Sequence, residues 1–550
     1  MSSSLTSVFI RWQVRFAEKR LHMVVLLYFA FFSTLISATS RNFPADFKFG
    51  TSTAAYQIEG AWNLDGKGES IWDRYVHTKS KEVVNGSTGD VAADSYHHWR
   101  EDVNLVAQLG LDFYRFSISW PRILPTGLPN KINKAGVKYY SDLIDALIAR
   151  GIEPVVTLYH WDLPVKLQDL GGWTNPLIAD WFEDYSRVIF SFYADRVKTW
   201  LTINEAIVVC DFNYNLGRYA PGIQESEIAP FLCNKNILLA HARAYRLYER
   251  EYKEKYNGKI SLANNVLWIE PKEVPRDSFL AELGLEHMVG RYSHPIYSKK
   301  GGWPHSLEKH IRAYSLKQGY NTSCLPAFTE KEKKLIKGTA DFYGLNYYTT
   351  RVIRPAQAGE RGTWFVDGSP EINAMLEVPP DAKIGVSPLI ANYPKGIRKM
   401  LSYLKSTYGD IEFLITENGY PDRGEIEDYE RVKFLKDHLE QVYLAINVDN
   451  VKVTGYSYWS LIDTFEWLDG YSTTFGLFDV DFKDPKRHRY PRLSAFYYEC
   501  IVNSNSLDVP DECVSTEALT HYNKNKLANN SEYLRVNYVL LILSLILILN

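Results

Sequence analysis

The chain has 550 residues, 46% of them hydrophobic and 23% charged, and a formal net charge of −3 at pH 7. That much apolar material builds a large core, and the length admits either several domains or one large α/β barrel. A near-balanced charge without a long basic run excludes the electrostatic footprint of a nucleic-acid binder and favours a neutral solute as partner.

In chain order, Arg11, Arg15, Lys19 and Arg20 precede the apolar run Met23 to Ile36, with the small residues Ala38 and Ser40 behind it. Residues 1–40 therefore read as a secretory signal peptide, with an uncleaved signal anchor or initiation at Met23 as alternatives. From residue 41 to residue 507 a short apolar strand pattern followed by a longer amphipathic one recurs, without solenoid repeats or low-complexity linkers. The strands are FKFGTS, FYRFSISW, PVVTLYHW, KTWLTINE, KISLANNV, DFYGLNYY, EFLITENG and VTGYSYWS. Between them lie helix patterns such as SYHHWREDVNLVAQLG, where Val103, Val106 and Leu109 share a face and Gly110 is the stop, and AGVKYYSDLIDALIARG, which also ends on Gly. Eight such units predict one (β/α)8 TIM barrel of the α/β class with enlarged loops, since a bare barrel needs about 250 residues. A polar segment follows over residues 508–535, then the hydrophobic tail 536–550. That tail is short for a membrane span, which needs roughly 20 residues. With Asn529, Asn530 or Ser531 near the attachment point, it reads as a GPI-anchor signal or other membrane tether.

Barrel enzymes carry their chemistry where the strands end and the βα loops begin. Here those positions hold Gln57 just after the first strand, Arg115 in the second, His160 and Trp161 on the third, and Asn204 and Glu205 on the fourth. Asn346 and Tyr348 close the sixth, Glu417 the seventh and Trp459 the eighth. A lone glutamate at a strand end is more often one half of an ion pair. Two of them on opposite sides of a rim with Arg, His, Asn and Tyr form the set that cleaves a glycosidic bond, which needs one protonated and one ionised carboxyl.

The motifs FKFGTSTAAYQIEGAWNLDGKGESIWD, YRFSISWPRILPTG, VTLYHWDLP, LTINEA, GLNYYT, ITENG and YWSLIDTFEWLDGYSTTFGLFDVDF follow in order. In these the chain resembles the family 1 glycoside hydrolases, the β-glucosidases and their relatives, and most of all the insect members. The resemblance implies that Glu205 is the general acid/base and Glu417 the nucleophile. It implies that Gln57, His160, Asn204 and Glu466 bind the sugar hydroxyls, that Trp459 is the sugar platform and that Trp467 is a further contact. Arg115 and Tyr348 would flank the nucleophile, with Asn346, Trp161 and Phe475 in support. A retaining enzyme of this kind holds its carboxyls roughly 5 to 5.5 Å apart. An anionic Glu466 would disfavour phosphorylated sugars. The family usually has Pro after the acid/base, where this chain has Ala206, which restores a backbone N–H. The implied activity is a retaining β-glucosidase, with a thioglucosidase as alternative and a catalytically silent sugar-binding receptor behind both.

No metal or organic cofactor is implied, and the partner is a small β-glycoside. HSLEKH has the wrong spacing for two ligands on one helix face, and His97 and His98 point to different sides of theirs. Cys210 with Cys233 and Cys500 with Cys513 are candidate local disulfides, leaving Cys324 over, although the sequence does not fix the connectivity. Asn85, Asn321 and Asn529 open N-glycosylation sequons. Oligomeric state and the natural aglycone are not legible; the segment Arg361 to Lys383 is expected at the aglycone mouth.

Overall fold

The computed structural model describes residues 40–363 and 366–515. The expected signal peptide up to residue 39, Asn529, the hydrophobic tail and residues 516–535 of the polar segment lie outside the described residues. Eight parallel strands close into a ring: β1 (Lys48–Ser52), β2 (Phe113–Ser117), β3 (Glu153–Tyr159) and β4 (Thr199–Asn204), then β5 (Lys259–Pro271), β6 (Tyr343–Pro355), β7 (Phe413–Asn418) and β8 (Val453–Trp459). Each pairs with its chain neighbour, and β8 pairs with β1 to complete the barrel.

These runs form strands because both of their faces are covered. Every residue of β2 and β7 is buried, as is all of β3 after Glu153, the pattern of a parallel sheet wrapped by helices. Phe113, Val155, Leu201, Ala263, Phe342 and Leu414 make an apolar cluster separate from the main core. Five strands, and the residue that leads into β6, can bring such side chains together only across the barrel interior, so this cluster is its plug. Gly50 on β1 makes room for it: a Cβ there would lie 2.4 Å from the Phe113 ring. Outside, the helix Ser95–Gln108 buries Val103 and Val106 and stops at Gly110, whose φ is 67°. The helix Lys134–Ile148 ends before Gly151 in the same left-handed manner.

β5 and β6 run further than the sequence pattern predicts, staying paired to Pro271 and Ile353 above the rim. The helix Ser278–Leu285 packs on both strands there, and a Cβ on its Gly284 would lie 2.9 Å from Ile353. That cover keeps the extension buried on one face. On its free edge β6 takes the antiparallel strand Ala374–Glu377, so part of the expected mouth segment is a small hairpin.

Disulfides join Cys210 to Cys233 and Cys500 to Cys513, and Cys324 is free. His97 bonds Asp94 at 2.6 Å, while His98 lies between Asp94 and Glu101. The HSLEKH segment opens the helix His305–Lys317. Among the described residues no group of three or more His, Cys, Asp or Glu is placed to hold a metal ion. Among the same residues no helix is long and apolar enough to cross a membrane. Asn85 and Asn321 are exposed.

Candidate active site

The carboxyl ends of β4 and β7 are irregular. Pairing register shifts between Leu201 and Asn204 on the β4–β5 edge and between Ile415 and Glu417 on the β6–β7 edge, and such a shift re-aims the side chain that follows it. Glu205 then leaves the strand with φ 49° and ψ 60°. Trp161 and Trp467 are also left-handed, at φ 74° and 50°. For non-glycine residues this costs on the order of 1 kcal/mol or more each, and it collects where a fold positions chemistry.

Glu417 is buried with both oxygens bonded. Its Oε1 accepts from Arg115 Nη1 at 2.6 Å and its Oε2 from the Tyr348 hydroxyl at 2.8 Å. Arg115 is fixed in turn by Asn204 Oδ1 at 2.7 Å, the Thr416 carbonyl at 3.0 Å and Thr157 Oγ1 at 3.1 Å. Burial and the neighbouring Glu417 hold the Tyr348 phenol well above its usual range, so it remains a donor. One cation and one neutral donor on a buried carboxyl are the surroundings of a carboxylate.

Glu205 has a different environment. Its Oε1 accepts from the amides of Asn346 at 2.8 Å and Asn265 at 3.0 Å. Burial first, and then the charge of Glu417, push its pKa up to about 8 against the pull of those amides and of Arg115. At neutral pH it is a carboxylic acid. Ala206 is buried and begins the short turn Ala206–Val208.

Around the pair stand groups with unused bonding capacity. The Asn204 amide donates to His160 Nε2 at 3.1 Å, which leaves the proton of a neutral imidazole on Nδ1. Burial and Arg115 keep this histidine well below its ordinary pKa, and Nδ1 has no partner. Gln57 donates to the Phe465 carbonyl and to Glu466 Oε2, both at 3.1 Å, and its buried Oε1 is likewise unpartnered. Buried polar atoms without partners are costly unless a ligand supplies them. Glu466 corrects an expectation: burial raises its pKa to about 8, with Asp469 and Glu417 adding to the rise. In the free cleft it is neutral, so exclusion of a phosphorylated sugar does not follow from its charge.

The aromatic walls complete the cavity. Trp459 lies 5.8 Å from His160 at an interplanar angle of 20°, and Trp467 sits 4.6 Å from Trp161. Phe475 packs with Trp459 and meets Tyr348 edge-on at 6.3 Å. The cleft encloses about 580 Å³ and is lined by Gln57, His160, Trp161, Asn204, Glu205, Tyr348, Glu417, Trp459, Glu466, Trp467 and Phe475. Arg115 and Asn346 stand behind it. Sequence reasoning missed Asn265, Thr416 and Thr464. Thr416 Oγ1 donates to Asn346 Oδ1 at 2.6 Å, which orients that amide toward Glu205. Asn265 had a signal: it is polar inside an apolar strand and pairs in register with Asn346. Val366, Asp367, Leu376 and Val378, from the expected mouth segment, line the outer cleft.

The profile of glycosyl hydrolase family 1 matches residues 39–507. Myrosinase 1 of Brevicoryne brassicae is 45% identical over 84% of this chain and 99% of its own. The human cytosolic beta-glucosidase is 41% identical over 85% and 99%. Among solved structures, aphid myrosinase superposes with a TM-score of 0.81 at 45% identity, covering 84% of this chain and 99% of that one. A rice β-glucosidase in a covalent complex with Glc gives 0.77 at 36% identity, covering 83% and 98%. With the barrel matched from end to end, this chain belongs to glycosyl hydrolase family 1.

Proposed function

We propose that this protein is a retaining β-glucosidase that removes terminal β-D-glucosyl residues by double displacement. The observation that carries the reading is the inequality of the two carboxyls: Glu417 between a cation and a phenol, Glu205 pushed up to about 8. Glu417 attacks C1, the C1–O bond breaks, and Glu205 passes its proton to the departing oxygen. In the second half Glu205 takes a proton from water, whose oxygen attacks C1 and frees Glu417. Gln57, His160, Asn204 and Glu466 hold the hydroxyls of the sugar over Trp459, with Trp467 beside it. The covalent glucose complex of the rice relative is the intermediate expected here. Treatment with a 2-deoxy-2-fluoro glucoside followed by peptide mass spectrometry tests this. The label belongs on Glu417, and a label elsewhere, or an inverted anomer by NMR, refutes the mechanism.

A thioglucosidase is the second reading, favoured by the 45% identity to an aphid enzyme named myrosinase. Turnover of a thioglucoside beside an aryl β-glucoside decides between them. A thiolate leaves with little help, so Glu205→Gln should impair the oxygen substrate far more than the sulfur one. We also place the protein in the secretory pathway, with a membrane tether through its C-terminal tail. The charged and apolar leader, the hydrophobic tail and two disulfides support this. Surface protein that phosphatidylinositol-specific phospholipase fails to release would rule out the glycolipid form.

A further inference from the structure

Two buried guanidiniums converge on one peptide beside the cleft. Arg492, at the start of the helix Leu493–Ser504, donates from Nη1 to the Gly476 carbonyl at 2.8 Å. Arg431, on the helix Tyr429–Asn447, donates to the same carbonyl from its own Nη1, and from Nη2 to the Thr474 carbonyl at 3.1 Å. The Gly476 N–H donates to Asp463 Oδ1 at 2.9 Å, and the two oxygens of Asp463 take the Arg492 fork at 2.9 and 2.8 Å. Asp479 adds to Arg492 at 2.8 Å, while Asp422 and Asp428 pair with Arg431. Arg431, Arg492 and Asp463 are all buried. Where they meet only glycine fits: a Cβ on Gly476 would lie 2.3 Å from the Asp463 nitrogen and 2.4 Å from the Phe478 carbonyl oxygen.

Buried ion pairs add little net stability over apolar packing, and their better use is to leave one geometry open. The geometry fixed here leads to the reacting groups by two routes. Phe475, immediately before the clamped peptide, lines the cleft and accepts at 3.3 Å from the N–H of Ser460, the residue after Trp459. Its ring packs with Trp459 and meets Tyr348 edge-on at 6.3 Å, and the Tyr348 hydroxyl is the donor to Glu417 Oε2. By the second route Asp422, on the loop that leaves Glu417, exchanges backbone bonds with Thr474 at 3.0 and 3.1 Å and accepts from its hydroxyl at 2.6 Å. The clamp thus joins the exits of β7 and β8, and the ring between them, into one unit.

We infer that Arg492 and Asp463 are positioning residues for glycoside cleavage: through the Gly476 peptide they set Phe475, and Phe475 sets the Tyr348 hydroxyl against Glu417. This rests on the β-glucosidase reading and adds to it two residues that touch no substrate. A misplacement of about 1 Å passed from such a distance can cost on the order of a hundredfold in rate. The fork of Arg492 reaches Asp463, Asp479 and the Gly476 carbonyl together, whereas a lysine there carries the same charge on a single nitrogen.

The test is Arg492→Lys, assayed on an aryl β-glucoside with rates expressed per active site titrated by a 2-deoxy-2-fluoro glucoside, so that unfolded molecules do not count. The kcat per site should fall about tenfold or more with a smaller change in KM, because the bond at stake is made to the nucleophile. A kcat per site equal to that of the wild type overturns the inference. A double-mutant cycle with Phe475→Ala separates positioning from general support. Once the ring is gone, Arg492→Lys should cost less than about twofold more; a loss as large in both backgrounds refutes the route through Phe475. Should Arg492→Lys not fold, Asp479→Asn removes only the half-buried partner of Arg492. It should lower kcat per site about threefold with the ring present and not without it, and an unchanged kcat overturns the inference. The same titration reports on the reading beneath it: a wild type that fails to label Glu417 overturns both, while normal labelling with unaltered variants overturns the positioning role alone.

Discussion

At the scale of single residues, two glutamates at corresponding ends of β4 and β7 are made chemically unlike by their neighbours. If Glu205 delivers the proton, kcat/KM falls as pH rises through about 8, where that carboxyl ionises. Glu466 titrates in the same range, so the decisive variant is Glu466→Gln. Its activity drops, but the basic limb stays in place if Glu205 sets it, and disappears if Glu466 does. A second consequence concerns stability. Both folded-state pKa values lie above the unfolded one, so the folded protein binds the extra protons, and stability falls as pH rises from about 4.5 to 8. Each group withholds roughly 3 kcal/mol at pH 7, from about 2.5 pH units at 1.36 kcal/mol each. Glu205→Gln should therefore melt higher than the wild type at pH 7 to 8 and no higher near pH 4, while turnover of an O-glucoside falls by roughly 10²- to 10⁴-fold. A lower melting temperature at pH 8 would contradict the environment described for Glu205. Most of this site was legible because its residues sit at strand ends, which periodicity locates. The neutral state of Glu466 was not, since it depends on burial by loops whose path no local pattern encodes. Asn265 stood near the end of the fifth strand as read and was passed over because no residue of that strand was singled out; its bond to Glu205 shows only in three dimensions.

At the scale of elements, the mouth is built from segments that are not barrel. The turn after β4 carries Val208 and Phe212 into the cleft and is bound through Cys210 to Cys233 on the helix Ala229–Glu251. Crosslinking across 23 residues is worth about 3 kcal/mol in the chain-entropy account. Cys210→Ser with Cys233→Ser should lower the melting temperature and weaken aryl glucoside binding together, because the same turn begins at Glu205. The Cys500–Cys513 bridge lies on the far side of the fold, so its double serine variant should lower stability and leave KM unchanged. If both pairs move KM alike, the turn is not what the first disulfide positions. The eight strands were readable as β-branched and aromatic runs, buried on both faces. The extensions of β5 and β6 were not, because their burial comes from the helix Ser278–Leu285, remote from β6 in sequence, and the hairpin was not, because it forms only on the edge that the extended β6 offers.

At the scale of the whole molecule, the two ends of the described chain are fastened together. Asn42 bridges Ser506, the Phe43 N–H donates to the Asn505 carbonyl at 3.0 Å, and the Leu507 N–H donates to the Arg41 carbonyl at 3.1 Å. Arg41 pairs with Asp508 at 2.6 Å. Phe43 precedes β1, and the helix Leu493–Ser504 follows β8, so this seam lies at the amino ends of the strands, opposite the catalytic rim. Among the described residues the strand ring closes on itself, and the cleft is lined within it. A chain of residues 40–515 should fold, melt in one transition and match the full-length protein in kcat/KM. Removing residues 40–43 from it should lower the melting temperature, since the Phe43 ring, 4.6 Å from Phe47, is buried in the core and truncating such a ring costs about 3 to 5 kcal/mol. The placement of the seam also makes a geometric demand on any tether. A protein immobilised through residue 515 presents its mouth away from the support, so turnover of a bulky β-glucoside should equal that in solution. Immobilisation through a surface residue of the Ala374–Glu377 hairpin should reduce it sharply. If the first attachment were as inhibitory as the second, the C-terminal segment would lie across the rim, and the proposed division between an anchoring face and a catalytic face would be wrong.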